Sequence, residues 1–366
     1  MPMRVLLAGG GSGGSSAPVL AVAQELRRRG ECEFLYVGTA GGPEQELVAR
    51  HDIPLHHRAD RQAAPVLVVA EPRGHLQDTP WGLGQSLRLV ASFRPDVAFA
   101  AGGFAAVPPL LAANLLRVPT VIHQQDVEPG LANKILAPFA AAITVTFPGS
   151  LAHFPGSKTA VTGNPVRQEI LTGSREEARR LFDLKDSLPV VLVTGGGTGA
   201  MGLNRLTALA ASELCLRCQL LHITGRDKGV DGTDLGPNYH QMEFLAEGMG
   251  HVLAAAELVV SRAGLSTLTE LATLGKPSIL IPMPQSHQEA NAAVFSRGNA
   301  ALVLQEDELT GEELAEAILS LLEDRERLSA MSERARGPDV SPSGDEDRGR
   351  DRKSRTPLVL RRHLSF

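Results

Sequence analysis

Aromatic residues are scarce: 11 Phe, two Tyr and one Trp make up 4% of the 366 residues. That removes the stacking platforms on which single-stranded nucleic acids are held. Basic residues are not in excess either, since the net charge is −5, so a broad nucleic-acid face is excluded. Cysteine is nearly missing. Cys32, Cys215 and Cys218 form an odd, small set that suits a reducing cytoplasm. The lone pair Cys215-Leu216-Arg217-Cys218 has no second pair to complete a metal site, and reads as two small apolar residues near the end of an element. No apolar run approaches the ~20 residues a bilayer span requires. The N-terminus runs straight into a strand pattern rather than a signal peptide. A soluble or membrane-peripheral protein is expected.

What is present is enough apolar material, 43% of the chain, for two ordinary cores. Apolar runs alternate with helical patterns. In the first half Arg4–Ala8, Glu33–Val37, Val97–Ala101, Thr120–His123 and Ala142–Thr146 are predicted as strands. Pro18–Arg29 is predicted as a helix, capped by Ser15 or Ser16 and stopped by Gly30. The second half repeats the scheme, with strands at Val190–Thr194, Gln219–Ile223, Leu258–Ser261 and Ser278–Pro282. Its helices are predicted at Leu203–Leu214, Ser266–Leu274 and Glu312–Glu323. Continuous apolar strands separated by helices imply doubly wound parallel sheets covered on both faces. The pattern breaks at Thr162-Gly163-Asn164-Pro165, so the expected domains are residues 1–164 and 165–336. Residues 337–366 turn rich in Pro, Ser, Gly and interleaved charges, and are expected to form a solvated, disordered tail.

Both halves open on the same device. Arg4–Ala8 leads into Gly9-Gly10-Gly11-Ser12-Gly13-Gly14, and Val190–Thr194 leads into Gly195-Gly196-Gly197-Thr198-Gly199. A strand, a glycine turn and a helix start aim free N–H groups and the helix dipole at one point, which is an anion site. A third segment, Ala101-Gly102-Gly103-Phe104, follows the same logic. The chemistry is narrowed by what the loops lack. The second strand ends Tyr36-Val37-Gly38-Thr39 without the acid that holds the ribose of a dinucleotide, which argues against NAD. No G-K-[ST] follows either loop, so a P-loop is excluded. No Asp-x-Asp stands at a strand end, and no metal is expected to be obligatory. The loops suit a diphosphate held against backbone, without a lysine.

The second half also carries groups for a sugar. In Arg262-Ala263-Gly264-Leu265-Ser266-Thr267-Leu268-Thr269-Glu270, the N–H groups near Ser266 and Thr267 suit a phosphate, and Glu270, one turn in, can accept two ribose hydroxyls. Compensation of the helix dipole is the plainer role for Glu270. Within His287-Gln288-Glu289-Ala290-Asn291, amide groups suit the hydroxyl-rich edge of a sugar.

Taken together these pieces resemble a family. They are Gly9–Gly14 with Pro18, Ala101–Phe104, His123-Gln124-Gln125-Asp126 running into Pro129-Gly130-Leu131-Ala132-Asn133-Lys134, Gly163-Asn164-Pro165-Val166-Arg167, Gly195–Ala200, Arg262–Glu270 and His287–Asn291. In this order they resemble the MurG-type N-acetylglucosaminyltransferases of peptidoglycan synthesis, over roughly residues 3 to 325. The resemblance implies a GT-B fold, two Rossmann-like domains with a cleft between them. It implies an inverting transfer of N-acetylglucosamine from UDP-N-acetylglucosamine to the muramoyl 4-hydroxyl of lipid I. The product is lipid II, which feeds cell-wall biogenesis, cell shape and division. Arg167, Gly197, Thr198, Leu245, Leu265, Ser266, Thr267, Leu268, Thr269, Glu270 and Gln288 would face the donor. Leu245 would offer backbone to uracil, and Glu270 would take the ribose. Ser12, Gly13, Gly14, Gly102, Gly103, Gln125 and Asp126 would lie toward the acceptor. The partners implied are the donor, the polyprenyl-diphosphate acceptor and the cytoplasmic face of the plasma membrane. Membrane contact would run through Pro65–Val69 or Trp81.

Two positions depart from the family. Ser15 stands where the family usually has histidine, and serine alone is no general base near neutral pH. The family's His-Glu-Gln-Asn is His123-Gln124-Gln125-Asp126 here. Asp126 is therefore the candidate base, ahead of His123 and Glu128, and a structural His123 is an equal alternative. The family's closing C-terminal helix is not expected beyond Met331–Arg336. Two other functions remain open. One is a GT-B relative with another acceptor or an epimerase. The other is an inactive UDP-sugar-binding relative.

Overall fold

The structure is a computed structural model that describes residues 2–10, 13–39, 48–49, 66–69, 79–197, 199–230, 235–245 and 247–337. The chain divides into two compact units that meet in sequence between Pro165 and Val166. Unit 1 holds a seven-stranded parallel sheet of β1 (Met3–Ala8), β2 (Cys32–Thr39), β3 (Val66–Val69), β4 (Val97–Ala100), β5 (Thr120–Gln124), β6 (Ala142–Val145) and β7 (Thr159–Val161). Their order across the sheet is β3-β2-β1-β4-β5-β6-β7. Unit 2 holds a six-stranded parallel sheet of β8 (Val190–Thr194), β9 (Gln219–Ile223), β10 (Tyr239–Met242), β11 (Leu258–Ser261), β12 (Ser278–Leu280) and β13 (Ala301–Val303). Their order is β10-β9-β8-β11-β12-β13. Both units are thus wound the same way: the first three strands run outward in one direction, and the fourth returns to the far side of the first. This doubly wound α/β class is the one the alternating pattern predicts.

Burial explains which strands were readable. Every residue of β8, β9 and β11 is buried, because helices cover both faces of the sheet, and such strands appear as unbroken apolar runs. In unit 1, Leu6, Leu35, Ala98, Ile122 and Ile143 pack one face, while Val5, Leu7, Phe34 and Tyr36 pack the other. The short strands β7, β10 and β13 were not expected. They lie at the sheet edges or toward them and mix polar with apolar residues, as in Tyr239-His240-Gln241-Met242. Several ends also move: β2 runs on to Thr39, and β12 stops at Leu280 rather than Pro282.

One helix start is corrected. The first helix covers Gly13–Arg29, not Pro18–Arg29, and Pro18 lies inside it. A proline there forfeits the bond its nitrogen would make to the carbonyl of Gly14, and its ring crowds that carbonyl. The gain is a tied first turn: Ser16 is fully buried, 2.9 Å from the Tyr36 hydroxyl. Ser15 and Ser16 are therefore inside the helix and are not its caps. The last described helices are Gly311–Glu323, opened by a Thr310–Glu313 capping box, and Arg325–Ala335. The tail expected to be disordered lies outside the described residues, apart from Gly337.

Candidate functional site

In a doubly wound sheet the strand order reverses at one point, and loops leaving the carboxyl ends of the two strands there diverge, opening a crevice. In unit 1 that point lies between β1 and β4, and in unit 2 between β8 and β11. The glycine segments leave these same strand ends.

In unit 1, Gly103 has φ 85° and ψ 142°, a conformation essentially reserved for glycine. A Cβ on Gly103 would stand 2.6 Å from the Gly10 carbonyl oxygen and 3.3 Å from Ser15 Oγ. The turn after β4 and the turn after β1 therefore touch through bare backbone. The Tyr36 hydroxyl donates to the Gly9 carbonyl at 3.3 Å and braces the first loop from below. Gly13 and Gly14 form the helix start. Ser12 lies outside the described residues. Ser15 is buried, with Oγ at a long 3.4 Å from the Gly10 carbonyl.

The end of β5 carries the residues expected from the sequence to lie toward an acceptor. His123 is 3% exposed and bonded at both ring nitrogens, Nδ1 to Thr144 Oγ1 at 2.8 Å and Nε2 to Asn164 Oδ1 at 3.0 Å. An amide oxygen only accepts, so Nε2 carries the proton and Nδ1 accepts from Thr144. Burial lowers the His123 pKa to about 4, against the opposing pull of the Asn164 bond. The ring is neutral at pH 7 and turned into the fold. Gln124 donates from Nε2 to the carbonyls of Asp126 and Glu128, both at 2.9 Å, so its amide shapes the turn that carries Asp126. A glutamate could not supply those two donors. Asn133 in turn donates to Gln124 Oε1 at 2.8 Å and to the His123 carbonyl at 3.0 Å. Gln125 donates to the Ala101 carbonyl at 2.9 Å, joining this turn to the end of β4. Asp126 is half-buried, and Glu128 is exposed.

In unit 2 the turn after β8 is equally constrained. A Cβ on Gly195 would lie 2.4 Å from the Ala200 nitrogen, and one on Gly199, at φ 70°, would lie 2.1 Å from the Thr224 carbonyl oxygen. A Cβ on Gly196 would come 3.9 Å from Thr267 Oγ1, so this turn stands beside the start of helix Leu265–Leu274. Gly197 is exposed at its tip, and Thr198 lies outside the described residues. The helix start has no side-chain cap. Leu265, Leu268 and Thr269 point inward, Thr269 Oγ1 donating to the Leu265 carbonyl at 2.8 Å. What this segment offers a ligand is main-chain N–H, together with Ser266 and Thr267. The expectation that no lysine attends the turn is corrected: Lys228 Nζ donates to the Gly199 carbonyl at 3.3 Å. It comes from the loop after β9, which motif spacing around the turn could not reveal.

Glu270 is 9% exposed and paired with Arg167. Arg167 Nε and Nη2 both donate to Oε1, at 3.1 and 2.7 Å. Glu270 Oε2 makes no hydrogen bond among the described residues, so a nearly buried carboxylate keeps one open acceptor oxygen. Burial raises the Glu270 pKa, with Arg167 acting against it. Gln288 sits at the second position of helix His287–Arg297, held by the Ser286 cap. Its Oε1 accepts from the N–H of Ala263 at 3.2 Å and of Met283 at 3.1 Å, which turns the amide nitrogen outward as a donor. Arg262, not singled out from the sequence, clamps the same loops. It donates to the carbonyls of Ile281 and Pro282 and pairs with Glu306 at 2.7 Å. Leu245 is half-buried, next to Phe244, whose ring lies under the Arg226 guanidinium at 5.0 Å.

The Cys215–Cys218 segment is not a reactive site. Cys215 closes helix Met201–Leu214, and burial pushes the two thiols up to about 11 and about 12. Among the described residues no cluster of three His, Cys, Asp or Glu side chains is placed to hold a metal ion.

The chain matches the glycosyltransferase family 28 N-terminal domain over residues 5–145 and the glycosyltransferase family 28 C-terminal domain over residues 190–342. It is 38% identical over 349 residues to a protein of Desulforudis audaxviator, covering 90% of this chain and 92% of the relative. That relative is named UDP-N-acetylglucosamine–N-acetylmuramyl-(pentapeptide) pyrophosphoryl-undecaprenol N-acetylglucosamine transferase. A relative of the same name from Thermodesulfovibrio yellowstonii is 36% identical over 343 residues, with 90% and 92% covered. The crystal structure of Acinetobacter baumannii MurG aligns over the full length of both chains with a TM-score of 0.69 and 25% identity.

Proposed function

The chain belongs to the family of UDP-N-acetylglucosamine–N-acetylmuramyl-(pentapeptide) pyrophosphoryl-undecaprenol N-acetylglucosamine transferases, and from that premise we propose how its residues divide the reaction. The enzyme moves N-acetylglucosamine from UDP-N-acetylglucosamine to the muramoyl 4-hydroxyl of lipid I, with inversion, and releases UDP and lipid II. Unit 2 takes the donor. The observation that carries this is Glu270: a nearly buried carboxylate with one open oxygen, beside an uncapped helix start and a glycine turn that leaves no room for side chains at Gly195 and Gly199. The ribose diol donates to Glu270. The diphosphate lies against the N–H groups of Gly196, Gly197 and Leu265–Thr267, with Arg167 and Lys228 as cations nearby. As the sugar–phosphate bond breaks, charge grows on the leaving oxygen, and donors already in place stabilise it without reorganising. The backbone at Leu245 reads the uracil, and the Gln288 amide nitrogen contacts the sugar.

Unit 1 takes the acceptor. The paired turns at Gly13-Gly14 and Gly102-Gly103 receive its diphosphate, and Asp126 removes the proton from the attacking hydroxyl. The geometry supports placing Asp126 ahead of His123 and Ser15. Both His123 nitrogens are engaged inside the fold, and Ser15 is buried against Gly10. Gln124 holds the Asp126 turn through two carbonyls, which gives this chain a way to aim an aspartate where the family usually has an asparagine.

The acceptor's polyprenyl tail places the enzyme at a membrane surface. No helix among the described residues is long and apolar enough to cross a membrane, which fits peripheral attachment. Val66–Val69 is strand β3, and Pro65 lies outside the described residues. The described surface of unit 1 offers Leu115, Leu116 and Phe139, 63%, 43% and 50% exposed, joined where Asn114 donates to the Phe139 carbonyl. The whole reading is tested by incubating the protein with labelled UDP-N-acetylglucosamine and lipid I in vesicles. Labelled lipid II supports it. Nucleotide binding with no labelled lipid supports an inactive relative, and exchange of the donor sugar's configuration supports an epimerase.

A further inference from the structure

Arg167 is shared between two carboxylates of unequal character. Its Nε and Nη2 edge is spent on Glu270, which is 11% exposed in its side chain and fixed in helix Leu265–Leu274. Its Nη1 donates to Glu169 Oε1 at 2.8 Å, and the Glu169 side chain is 57% exposed. Glu169 lies in the short helix Gln168–Leu171, which glycines press onto helix Met249–Ala255: a Cβ on Gly250 would stand 2.3 Å from the Glu169 carbonyl oxygen. The Glu169 backbone is therefore fixed, while its carboxylate is free to turn into water. The three side chains together carry one net negative charge at the proposed donor site, with Arg167 the cation on the diphosphate's side. A guanidinium binds phosphate oxygens through the same in-plane N–H groups that bind carboxylates. The buried partner cannot step aside, but the exposed one can do so at little cost.

We infer that Glu169 competes with the donor's diphosphate for the Nη1 edge of Arg167, so that its carboxylate weakens nucleotide binding and promotes release of the UDP product. The inference rests on the donor-site reading above. Glu169 is a positioning residue that acts through Arg167. It sets how much of the guanidinium the nucleotide must win, and its negative charge adds repulsion toward the diphosphate.

The test is isothermal titration of the full chain with UDP, for the wild type, Glu169→Gln and Glu270→Gln. Glu169→Gln keeps the size and one acceptor oxygen but removes the charge. Its Kd for UDP is expected to fall about twofold to fivefold, the scale of a half-exposed ion pair. The gap should narrow as salt is raised. A damaged fold would weaken binding, so tighter binding is a signature that a merely structural role does not produce. Glu270→Gln is expected to raise the Kd about tenfold or more. If Glu270→Gln weakens binding but Glu169→Gln leaves the Kd unchanged or higher, the competition is refuted and the donor site stands. If the wild type does not bind UDP, or Glu270→Gln binds as the wild type does, the donor-site reading itself fails.

Discussion

Replacing Gly103 by alanine separates two costs that the structure assigns to neighbouring glycines. Gly102 and Gly103 both have positive φ, 90° and 85°, so alanine at either position is strained by about 1–3 kcal/mol. Their surroundings differ. A Cβ on Gly102 meets only Asn133 Nδ2 at 3.9 Å, an ordinary contact. A Cβ on Gly103 meets the Gly10 oxygen at 2.6 Å and its nitrogen at 3.2 Å, and this is backbone that cannot rotate away. Overpacking adds about 1–3 kcal/mol. Gly103→Ala should therefore destabilise unit 1 by about 2–6 kcal/mol and Gly102→Ala by about 1–3 kcal/mol. The assay is provided by the chain itself. Its one tryptophan, Trp81, lies in helix Thr79–Phe93 of unit 1, so fluorescence-monitored urea unfolding follows that unit alone. The same variants assayed for transfer should differ in one direction: Gly103→Ala loses more kcat/KM for lipid I, because the Gly9–Gly14 turn is pushed off its position. Equal destabilisation by the two substitutions, or a milder Gly103→Ala, would refute the idea that the two turns meet through bare backbone.

Other outcomes follow from the same geometry. Burial holds both His123 and His222 at about 4, against about 6.5 in an unfolded chain. Between those values the unfolded chain binds protons that the folded chain refuses, so stability is full above pH 6.5 and is lost as pH falls toward 4. The loss is about 3 kcal/mol for each histidine. Trp81-monitored urea midpoints at pH 7.5 and pH 5 should show it for His123, and equal midpoints would mean that the ring is not buried neutral. Asp126→Asn should lower turnover by at least about 100-fold with little change in the unfolding midpoint, while Ser15→Ala should stay within about threefold. Near-normal turnover in Asp126→Asn would remove Asp126 from the role of base. Gln124→Glu should destabilise unit 1 by about 1–3 kcal/mol, because two carbonyls lose their donor. An unchanged midpoint in the Trp81 assay would show that those bonds are dispensable.

The parts legible in the sequence are the ones written locally. The central strands, buried on both faces, appear as unbroken apolar runs, and the glycine turns and Glu270 lie within short strings that carry their own geometry. Edge strands such as β10 did not appear, because four residues, none of them buried and with His240 and Gln241 polar, have no period to detect. Pro18 misled the reading of the first helix, because proline usually opens a helix and here lies inside one. The site's long-range pairs were invisible for a different reason. Arg167 reaches Glu270 across 103 positions, and His123 reaches Asn164 across 41. Lys228 arrives at the Gly199 turn from another strand end. These juxtapositions are set by how the parallel sheet is wound, and spacing along the chain does not encode them. The expected roles of Ser12 and Thr198 fall on residues outside those described.

The central claim is that the donor is held at the carboxyl edge of β8 and β11 by main-chain N–H groups and Glu270. A crystal structure with UDP-N-acetylglucosamine bound tests it most directly. The account predicts both ribose hydroxyls within about 3 Å of the Glu270 carboxylate, and diphosphate oxygens at hydrogen-bond distance from the N–H groups of the Gly195–Gly199 turn and the Leu265 helix start. A nucleotide found at the Gly9–Gly14 turn, or with its diphosphate touching no main-chain N–H in unit 2, would contradict it.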